Sequence, residues 1–262
     1  MNNLNLDLIR NKNIAGSNVI TIASGKGGVG KTWLASTIAD CLSKKNKKIL
    51  LFDGDLGLAN IDVQLGINPD RDISGVILDK YKFNEAVHKV KNTNFELLAG
   101  KSGSGFLASL DISNLNYLKN EIIQNSSQYD YIISDLAAGI DSPVRALTVE
   151  KGEVFVVTTS DPTSLTDAYA FIKVTNIKYP NIKINILVNM VTSKNEGLEV
   201  FKILSKSCSN FLNLKINLVG LISFDRNVNE SIKSQKLFLN SYPFSKAAKD
   251  IEKICNNIIN HE

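Results

Sequence analysis

The chain has 262 residues, of which 44% are apolar and 21% are charged. This composition is ordinary for a globular protein, and the length is sufficient for a full hydrophobic core, so we predict one large domain rather than a disordered or fibrous chain. The formal net charge is +4 and the lysines are scattered, which favours a solvated surface over a nucleic-acid-binding patch.

The first 17 residues are predicted to form an N-terminal extension to a domain of residues 18–262. The extension lacks the apolar segment of a signal peptide, and no stretch approaches the roughly 18 to 20 apolar residues of a membrane-spanning helix. We therefore expect a cytoplasmic protein. Cys41, Cys208 and Cys255 form no Cys-x-x-Cys pair, so reduced thiols are expected rather than a zinc site or a disulfide framework.

Strand-like and helix-like segments alternate along the chain. Segments rich in β-branched residues predict strands at residues 19–24, 48–53, 95–99, 129–135, 154–159, 183–188 and 214–222. Helical patterns occupy residues 32–44, 115–124, 165–178, 197–211 and 245–259. Several strands are apolar at consecutive positions, as expected where helices cover both faces of a parallel sheet. We predict an α/β fold with a doubly wound, mostly parallel sheet, whose ligands bind at the carboxyl ends of the strands.

A glycine-rich segment lies between the first predicted strand and the first predicted helix. It fits the phosphate-binding pattern G-x-x-x-x-G-K-[ST] with Gly25, Lys26, Gly27, Gly28, Val29, Gly30, Lys31 and Thr32. Glycines allow backbone N–H groups to point at a phosphate, and the dipole of the following helix favours an anion there. Lys31 is expected to contact the β- and γ-phosphates and Thr32 to ligate Mg²⁺. A chance match in a glycine-rich turn is the alternative, which the flanking strand and helix disfavour.

Two further residues of this segment are informative. Lys26 directly follows the first glycine, and Trp33, the only tryptophan, directly follows Thr32. An ordinary phosphate loop has no need of Lys26, which in isolation would count as surface charge. With this lysine the segment resembles the deviant Walker A loop of the MinD/ParA ATPases. The resemblance implies that Lys26 reaches phosphates bound by the opposite subunit of an ATP-dependent dimer, where it would stabilise transition-state charge. Trp33 is predicted to lie at the nucleotide.

Carboxylates follow two later strands. Asp53 and Asp55 close the second predicted strand, and Asp135 closes the fourth. Beside a phosphate loop, Asp55 is predicted to orient the attacking water, Asp53 to support the Mg²⁺ shell and Asp135 to hold Mg²⁺ through water. The amide of Gly139 is predicted to face the γ-phosphate. Polar residues at an ordinary turn are the alternative for Asp53 and Asp55.

Four segments together resemble the FlhG/FleN (YlxH) subgroup of MinD-like ATPases, which regulate flagellar number and placement. They are Asp53-Gly-Asp-Leu-Gly-Leu-Ala-Asn-Ile-Asp62, Asp135-Leu-Ala-Ala-Gly-Ile-Asp141, Asp161-Pro-Thr-Ser-Leu-Thr-Asp-Ala-Tyr-Ala170 and Asp225-Arg-Asn-Val228. The resemblance covers residues 19–246. It implies a MinD-like P-loop fold, hydrolysis of ATP to ADP with Mg²⁺, and a role in positioning flagella or a similar cellular structure.

The resemblance also implies a base-binding region. Asn189 matches the asparagine that reads the adenine edge in this family, with a plain cap or turn as the alternative. Ser223, Phe224 and Asp225 match the loop beside the base.

A dimer-contact region is implied in the segment of residues 161–170. Ser164 and Asp167 lie in it, but their Ser-x-x-Asp spacing also fits a capping box at the start of a helix. We predict the capping role for Asp167.

Both ends of the chain depart from the family pattern. Residues 4–10 keep only the apolar-Arg ending of an element that stimulates a GTPase partner in flagellar members, which puts that activity in doubt. The C-terminal helix has an apolar face formed by Ile251, Ile254, Ile258 and Ile259, but few cations beside it. Both a lipid-binding helix and a helix packed on the domain are therefore predicted alternatives.

The partners follow from the resemblance. It implies an ATP-dependent homodimer, a protein partner such as a flagellar GTPase or regulator, and peripheral association with the inner membrane. The alternative function is a ParA-like ATPase that segregates DNA or another cargo. A metal-cluster scaffold would call for paired cysteines, which this sequence lacks.

Overall fold

Eight strands form one sheet within the described part of the computed structural model, residues 14–100 and 109–260. They are β1 (Val19–Ser24), β2 (Ile49–Gly54), β3 (Val87–Lys89), β4 (Phe95–Leu98), β5 (Tyr131–Ala138), β6 (Glu153–Thr158), β7 (Lys183–Val191) and β8 (Asn217–Ser223). Their spatial order is β3-β4-β2-β5-β1-β6-β7-β8, and only the pair of β3 with β4 is antiparallel among them. The predicted doubly wound, mostly parallel sheet is confirmed.

The helices comprise five long ones and six short ones in the same described ranges. In chain order they are α1 (Lys31–Lys44), α2 (Ile61–Leu65), α3 (Ile73–Ile77), α4 (Phe83–Ala86), α5 (Ile112–Asn125), α6 (Ser142–Leu147), α7 (Pro162–Lys178), α8 (Lys194–Leu212), α9 (Asn227–Lys233), α10 (Phe238–Ser241) and α11 (Lys246–Asn260). The five long helices are the predicted ones. The short helices were not predicted, because four to seven residues are too few to show a helical period.

Helices cover both faces of the sheet. On β1, Val19 and Ala23 belong to one buried cluster, which α5, α6, α7 and α8 complete. Ile20 and Ile22 belong to a second cluster on the opposite face, completed by α1 and α11. Because both faces are buried, the strands carry apolar residues at consecutive positions.

β5 is longer than predicted. It continues to Ala138, which pairs with Ser24 of β1. The prediction that Asp135 closes its strand is therefore wrong, and Asp135 lies three residues before the strand ends. It remains directly opposite Asp53 on the neighbouring β2.

The start of α7 also differs from the prediction. Asp161 is the N-cap, and its Oδ1 accepts the backbone N–H groups of Thr163 at 2.8 Å and Ser164 at 3.4 Å. The hydroxyl of Ser164 instead accepts the N–H of Thr159 at 3.1 Å. The capping role predicted for Asp167 is wrong, because a proline at the first helical position and an aspartate before it start the helix one turn earlier.

The C-terminal helix α11 packs on the domain. Its apolar residues Ile251, Ile254 and Ile258 are buried in the cluster that includes α1. Cys255 is buried beside Cys41 of α1, and a hydrogen bond between the two thiols lowers the pKa of Cys41. Of the two alternatives for this helix, the packed one is present.

No helix in residues 14–100 and 109–260 is long and apolar enough to cross a membrane. The element at residues 4–10 lies outside the described residues, and the domain boundary after residue 17 stays a prediction.

Candidate functional site

A cavity of about 890 Å³ lies at the carboxyl ends of β1, β2, β5, β7 and β8, the edge where doubly wound sheets bind ligands. Of the predicted site residues, those that line it are Gly27, Gly28, Gly30, Lys31, Thr32, Trp33, Asp55, Asn189, Ser223, Phe224 and Asp225. Predicted site residues outside the lining are Gly25, Lys26, Val29, Asp53, Asp135 and Gly139. The structure thus brings together both ends of the predicted nucleotide site.

Close packing at two glycines holds the loop between β1 and α1. A Cβ on Gly30, whose φ is +91°, would lie 2.6 Å from Nδ2 of Asn189, and a Cβ on Gly25 would lie 2.1 Å from the backbone oxygen of Asp167. No side chain fits at either position. At the two glycines between them an added Cβ would meet open space. The loop is therefore braced at both ends and leaves room for a phosphate in its middle.

Lys31 supplies a buried positive charge. Its Nζ donates a hydrogen bond to Oγ of Ser24 at 3.0 Å. Burial lowers its pKa, and the negative charges of Asp135 and Asp55 act in the opposite direction. An ammonium has three N–H donors, so Lys31 can bind a phosphate while it keeps its contact with Ser24.

Asp53 is a buried anchor for the loop that follows β2. Its Oδ2 accepts the backbone N–H groups of Asn60 and Ile61, both at 3.1 Å, and its Oδ1 accepts that of Asp55 at 3.4 Å. Burial, followed by the charge of Asp135, raises the pKa of Asp53 to about 8. Both oxygens accept backbone N–H groups, so Asp53 fixes the conformation of the loop. Its predicted role in supporting the Mg²⁺ shell stays a prediction.

Asp135 has unused hydrogen-bonding capacity. It is buried, and burial raises its pKa to about 7, although a hydrogen bond from Thr32 and the charge of Lys31 act in the opposite direction. Its Oδ1 has no hydrogen-bond partner among the described residues. Carboxylate and hydroxyl oxygens are the ligands that Mg²⁺ prefers, so Asp135 and Thr32 fit this ion.

The metal ion would need ligands from outside the protein. Among the described residues, no group of three His, Cys, Asp or Glu side chains could hold a metal ion. Mg²⁺ usually binds through one or two protein groups, together with waters and phosphate oxygens. The arrangement therefore suits an ion that arrives with a nucleotide.

Asp55 and Gly139 differ in their relation to the cavity. Asp55 lines it, and its Oδ1 accepts the N–H of Leu58 at 3.1 Å. The amide of Gly139 donates to the carbonyl of Ser24 at 2.9 Å, so it is not directed at the cavity. For this amide to contact the γ-phosphate, its hydrogen bond to Ser24 would have to break. The role of Asp55 in orienting water and that of Gly139 at the γ-phosphate stay predictions.

Lys26 points away from the cavity, towards the start of α7. Its Nζ lies 3.3 Å from Oδ2 of Asp161 and also donates to the hydroxyl of Thr163. The side chain of Lys26 is 37% exposed. Lys26 therefore does not reach the phosphate position of its own protomer. This placement is compatible with a role at the phosphates of a second subunit.

The base end of the cavity contains Asn189 in a structural contact. Its Nδ2 donates to the carbonyl of Val29 at 2.8 Å, and its Oδ1 accepts the N–H of Met190 at 2.9 Å. Asn189 lies within β7 and caps no helix, since Ser193 is the N-cap of α8. Its side chain instead joins β7 to the phosphate loop, and recognition of adenine stays a prediction. Ser223, beside the cavity, is held by Asp250 of α11, which accepts its N–H at 3.0 Å and its hydroxyl at 2.7 Å.

One wall of the cavity was not predicted. It is formed by α2 and α9 through Val63, Gln64, Val228 and Ile232. Gln235 joins the two helices, since its Nε2 donates to the carbonyl of Val63 at 2.9 Å. Of these four residues, only Val228 lies in a segment that was identified from the sequence. The other three were missed because both helices are too short to show a helical period.

Trp33 provides an optical test of nucleotide binding. It is buried, lines the cavity and packs edge-on against Phe238 with ring centroids 5.1 Å apart. We expect its emission to change when Mg-ATP is added, because a charged ligand alters the field around a ring held in place. The measurement is a fluorescence titration beside free tryptophan as a control. Unchanged emission despite binding confirmed by calorimetry would contradict this prediction.

Comparisons with known proteins agree with this geometry. Residues 20–238 match the family described as the CobQ/CobB/MinD/ParA nucleotide binding domain. The antiactivator FleN of Pseudomonas aeruginosa is 31% identical over 92% of this chain and 85% of its own length. The flagellum site-determining protein YlxH of Helicobacter pylori is 31% identical over 92% of this chain and 81% of its own length.

Solved structures show the same fold. The cell division ATPase MinD of Pyrococcus furiosus superposes with a TM-score of 0.79 at 23% identity, over 94% of this chain and all of that one (100%). MinD of Pyrococcus horikoshii, complexed with Mg-ADP, has a TM-score of 0.77 at 22% identity, over 92% of this chain and 96% of that one. With a family match over residues 20–238 and two relatives at 31% identity, the chain belongs to the MinD/ParA family of P-loop ATPases.

Proposed function

We propose that this protein is an ATP-dependent dimerising switch whose ATP hydrolysis regulates the number or position of flagella or a similar cellular structure. The observation that carries the proposal is a phosphate loop with Lys26 after its first glycine, beside a cavity lined by Lys31, Thr32 and Asp55. The names of its relatives, an antiactivator and a flagellum site-determining protein, support the flagellar role.

The ligands are ATP or ADP and Mg²⁺. Thr32 and Asp135 would hold the metal, whose charge neutralises the phosphates when it is bound. Lys31 binds the β- and γ-phosphate oxygens, and Asp55 orients the water that attacks the γ-phosphorus. The MinD relative complexed with Mg-ADP supports this set of ligands.

The switch depends on two copies of the chain. Lys26 of one protomer stabilises the charge that develops on ATP bound to the other, so hydrolysis is slow until the dimer forms. The rate of ATP hydrolysis therefore sets the lifetime of the dimer. The contact of Lys26 with α7 in the separate protomer supports a role that starts only on dimerisation.

A protein is the partner that we propose for the ATP-bound dimer, in the class of a flagellar GTPase or regulator. MinD of Aquifex aeolicus, 25% identical to this chain with a TM-score of 0.75, has been solved as a complex with MinC. That relative supports partner recognition by a protein of this fold.

A lipid surface is not the proposed partner of α11. Its three buried isoleucines would have to leave the core, and burying each one contributes about 1.5–3 kcal/mol, or about 4.5–9 kcal/mol in total. Lys249 and Lys253 on this helix are accompanied by Asp250 and Glu252, so attraction to anionic lipid would offset little of that cost.

Co-sedimentation tests the choice of partner. We expect the protein to pellet neither with anionic liposomes nor with DNA, whether or not Mg-ATP is present. The matched controls are the same mixtures with ADP and at raised salt, since charge-driven DNA binding weakens steeply with salt. ATP-dependent pelleting with liposomes would overturn the exclusion of lipid, and salt-sensitive pelleting with DNA would replace the proposal with DNA segregation.

A further inference from the structure

Helices α1 and α11 run in opposite directions and approach each other closely. Lys45, directly after α1, has its Nζ 3.8 Å from Oε1 of Glu252 on α11. About two turns earlier on α1, the carbonyl oxygen of Ile38 lies 4.0 Å from Sγ of Cys255. A short side chain reaches the backbone of a neighbouring helix only where the two helices nearly touch. Side chains of the two helices can therefore react with each other at this contact.

Cys41 and Cys255 are neighbours at this contact. A hydrogen bond joins their thiols, and both thiols are free and buried, with 5% and 0% of the residue exposed. The third cysteine, Cys208 of α8, belongs to the buried cluster on the other face of the sheet. The chain therefore has one pair of neighbouring thiols and one separate thiol.

The pair takes no part in the proposed ATPase chemistry, since neither cysteine lines the nucleotide cavity. We propose that Cys41 and Cys255 are a modification site, at which a peroxide converts the two thiols into a reversible disulfide between α1 and α11. Thiols in hydrogen-bond contact need only small side-chain rotations to reach the geometry of a disulfide. This inference goes beyond the proposed switch and does not depend on dimer formation.

Hydrogen peroxide is the oxidant, and it is reduced to water. The thiolate of Cys41 attacks one peroxide oxygen, so that an S–O bond forms, the O–O bond breaks, and the leaving hydroxide takes up the proton that Cys41 released. The product is a sulfenic acid on Cys41. The sulfur of Cys255 then attacks that of Cys41, so that an S–S bond forms, the S–O bond breaks, and hydroxide leaves as water with the Cys255 proton. A dithiol reductant restores both thiols by exchange.

Cys41 is the thiol that attacks first. The hydrogen bond with Cys255 lowers the pKa of Cys41, although burial acts in the opposite direction, and the charge of Lys45 lowers this pKa further. Burial raises the pKa of Cys255, and it raises that of Cys208 to about 11. The thiolate is the reactive form. Even after allowance for the weaker nucleophilicity of a more acidic thiol, Cys41 should react about tenfold or more faster than Cys208.

The disulfide would fix the packed position of α11. Asp250 of this helix accepts the N–H and the hydroxyl of Ser223, so the link would also secure the loop on the base side of the cavity. A crosslink between Cys41 and Cys255 closes a loop that contains most of the chain, and such loops restrict the unfolded state strongly. We expect the oxidised protein to melt about 4–15 °C above the reduced protein.

Peptide mapping of the folded wild type tests the inference. The protein is treated with hydrogen peroxide, catalase removes the excess, and N-ethylmaleimide is present while the chain is unfolded and digested. We expect a crosslinked peptide that contains Cys41 and Cys255, with Cys208 labelled as a free thiol. Dithiothreitol should then restore all three thiols. A link that includes Cys208, or two labelled thiols at Cys41 and Cys255 after treatment, would overturn the inference.

Three variants control this measurement. Cys208→Ala should form the same link as the wild type. Cys255→Ala should form no link and should instead leave a sulfenic acid on Cys41 that dimedone traps. Cys41→Ala should form neither. Peroxide should raise the melting temperature of the wild type and Cys208→Ala alone, and the other two variants account for oxidation elsewhere, such as at the exposed Met190. An equal rise in Cys255→Ala, or no rise in a fully linked wild type, would contradict the proposed link between the helices.

Discussion

Replacing Lys31 with alanine is expected to abolish tight ATP binding. Its buried ammonium has one hydroxyl partner, Ser24, in the described structure and would be the main positive charge at the β- and γ-phosphates. A charge-assisted hydrogen bond contributes about 1.5–3 kcal/mol, so each lost contact should lower the affinity roughly 10- to 150-fold. Isothermal titration calorimetry with Mg-ATP measures the loss.

Two variants accompany this measurement. Lys31→Met keeps most of the buried volume and separates the loss of charge from a cavity effect. Lys206→Ala removes an exposed lysine on α8 and should bind ATP as the wild type does. Wild-type affinity in Lys31→Ala would show that the loop of residues 25–32 is not the phosphate site.

Asp55→Ala is expected to trap the protein in its ATP-bound dimer. Asp55 lines the cavity and accepts one N–H of the loop, that of Leu58. Asp53 accepts three backbone N–H groups of the same loop and continues to anchor it in the variant. Loss of a group that positions the attacking water should slow hydrolysis about 10²- to 10⁴-fold, while Lys31 still binds the nucleotide. Light scattering with ATP should show a long-lived dimer, and Asp55→Asn should behave in the same way.

Lys26→Ala provides the opposite result. It should bind ATP through Lys31 and the loop amides but stay monomeric and hydrolyse slowly. If the wild type stays monomeric with ATP, or if Asp55→Ala does not extend the life of the dimer, the trans role of Lys26 is wrong and only nucleotide binding remains.

The fold could be predicted from sequence because its strands and long helices carry strong local signals. The run of residues 19–24 is buried on both faces of the sheet, and the long helices exceed three turns. The boundaries were less predictable. β5 continues past Asp135 because its neighbour β1 still pairs with it, and such pairing depends on a strand more than 100 residues distant in sequence.

The site was predictable where one motif contains its residues. Lys31 and Thr32 lie where the phosphate-loop pattern places them. The wall formed by α2 and α9 depends on tertiary contacts, such as that of Gln235 with Val63, which leave no periodic pattern in the sequence. The partner of Lys26 was missed for the same reason, since Asp161 is 135 residues away.

The two hydrogen bonds from Ser223 to Asp250 make the C-terminal helix part of the nucleotide site. Deleting a C-terminal helix is a common way to ask whether it targets a protein to a membrane. Here the deletion would also remove the support of the base-side loop and expose the apolar side of α1. Loss of cellular position after such a deletion would therefore not by itself show that the helix binds a membrane. A charge substitution at the exposed Lys249 tests membrane binding without this effect, whereas Lys253 lies 3.6 Å from Asp250 and is less suitable.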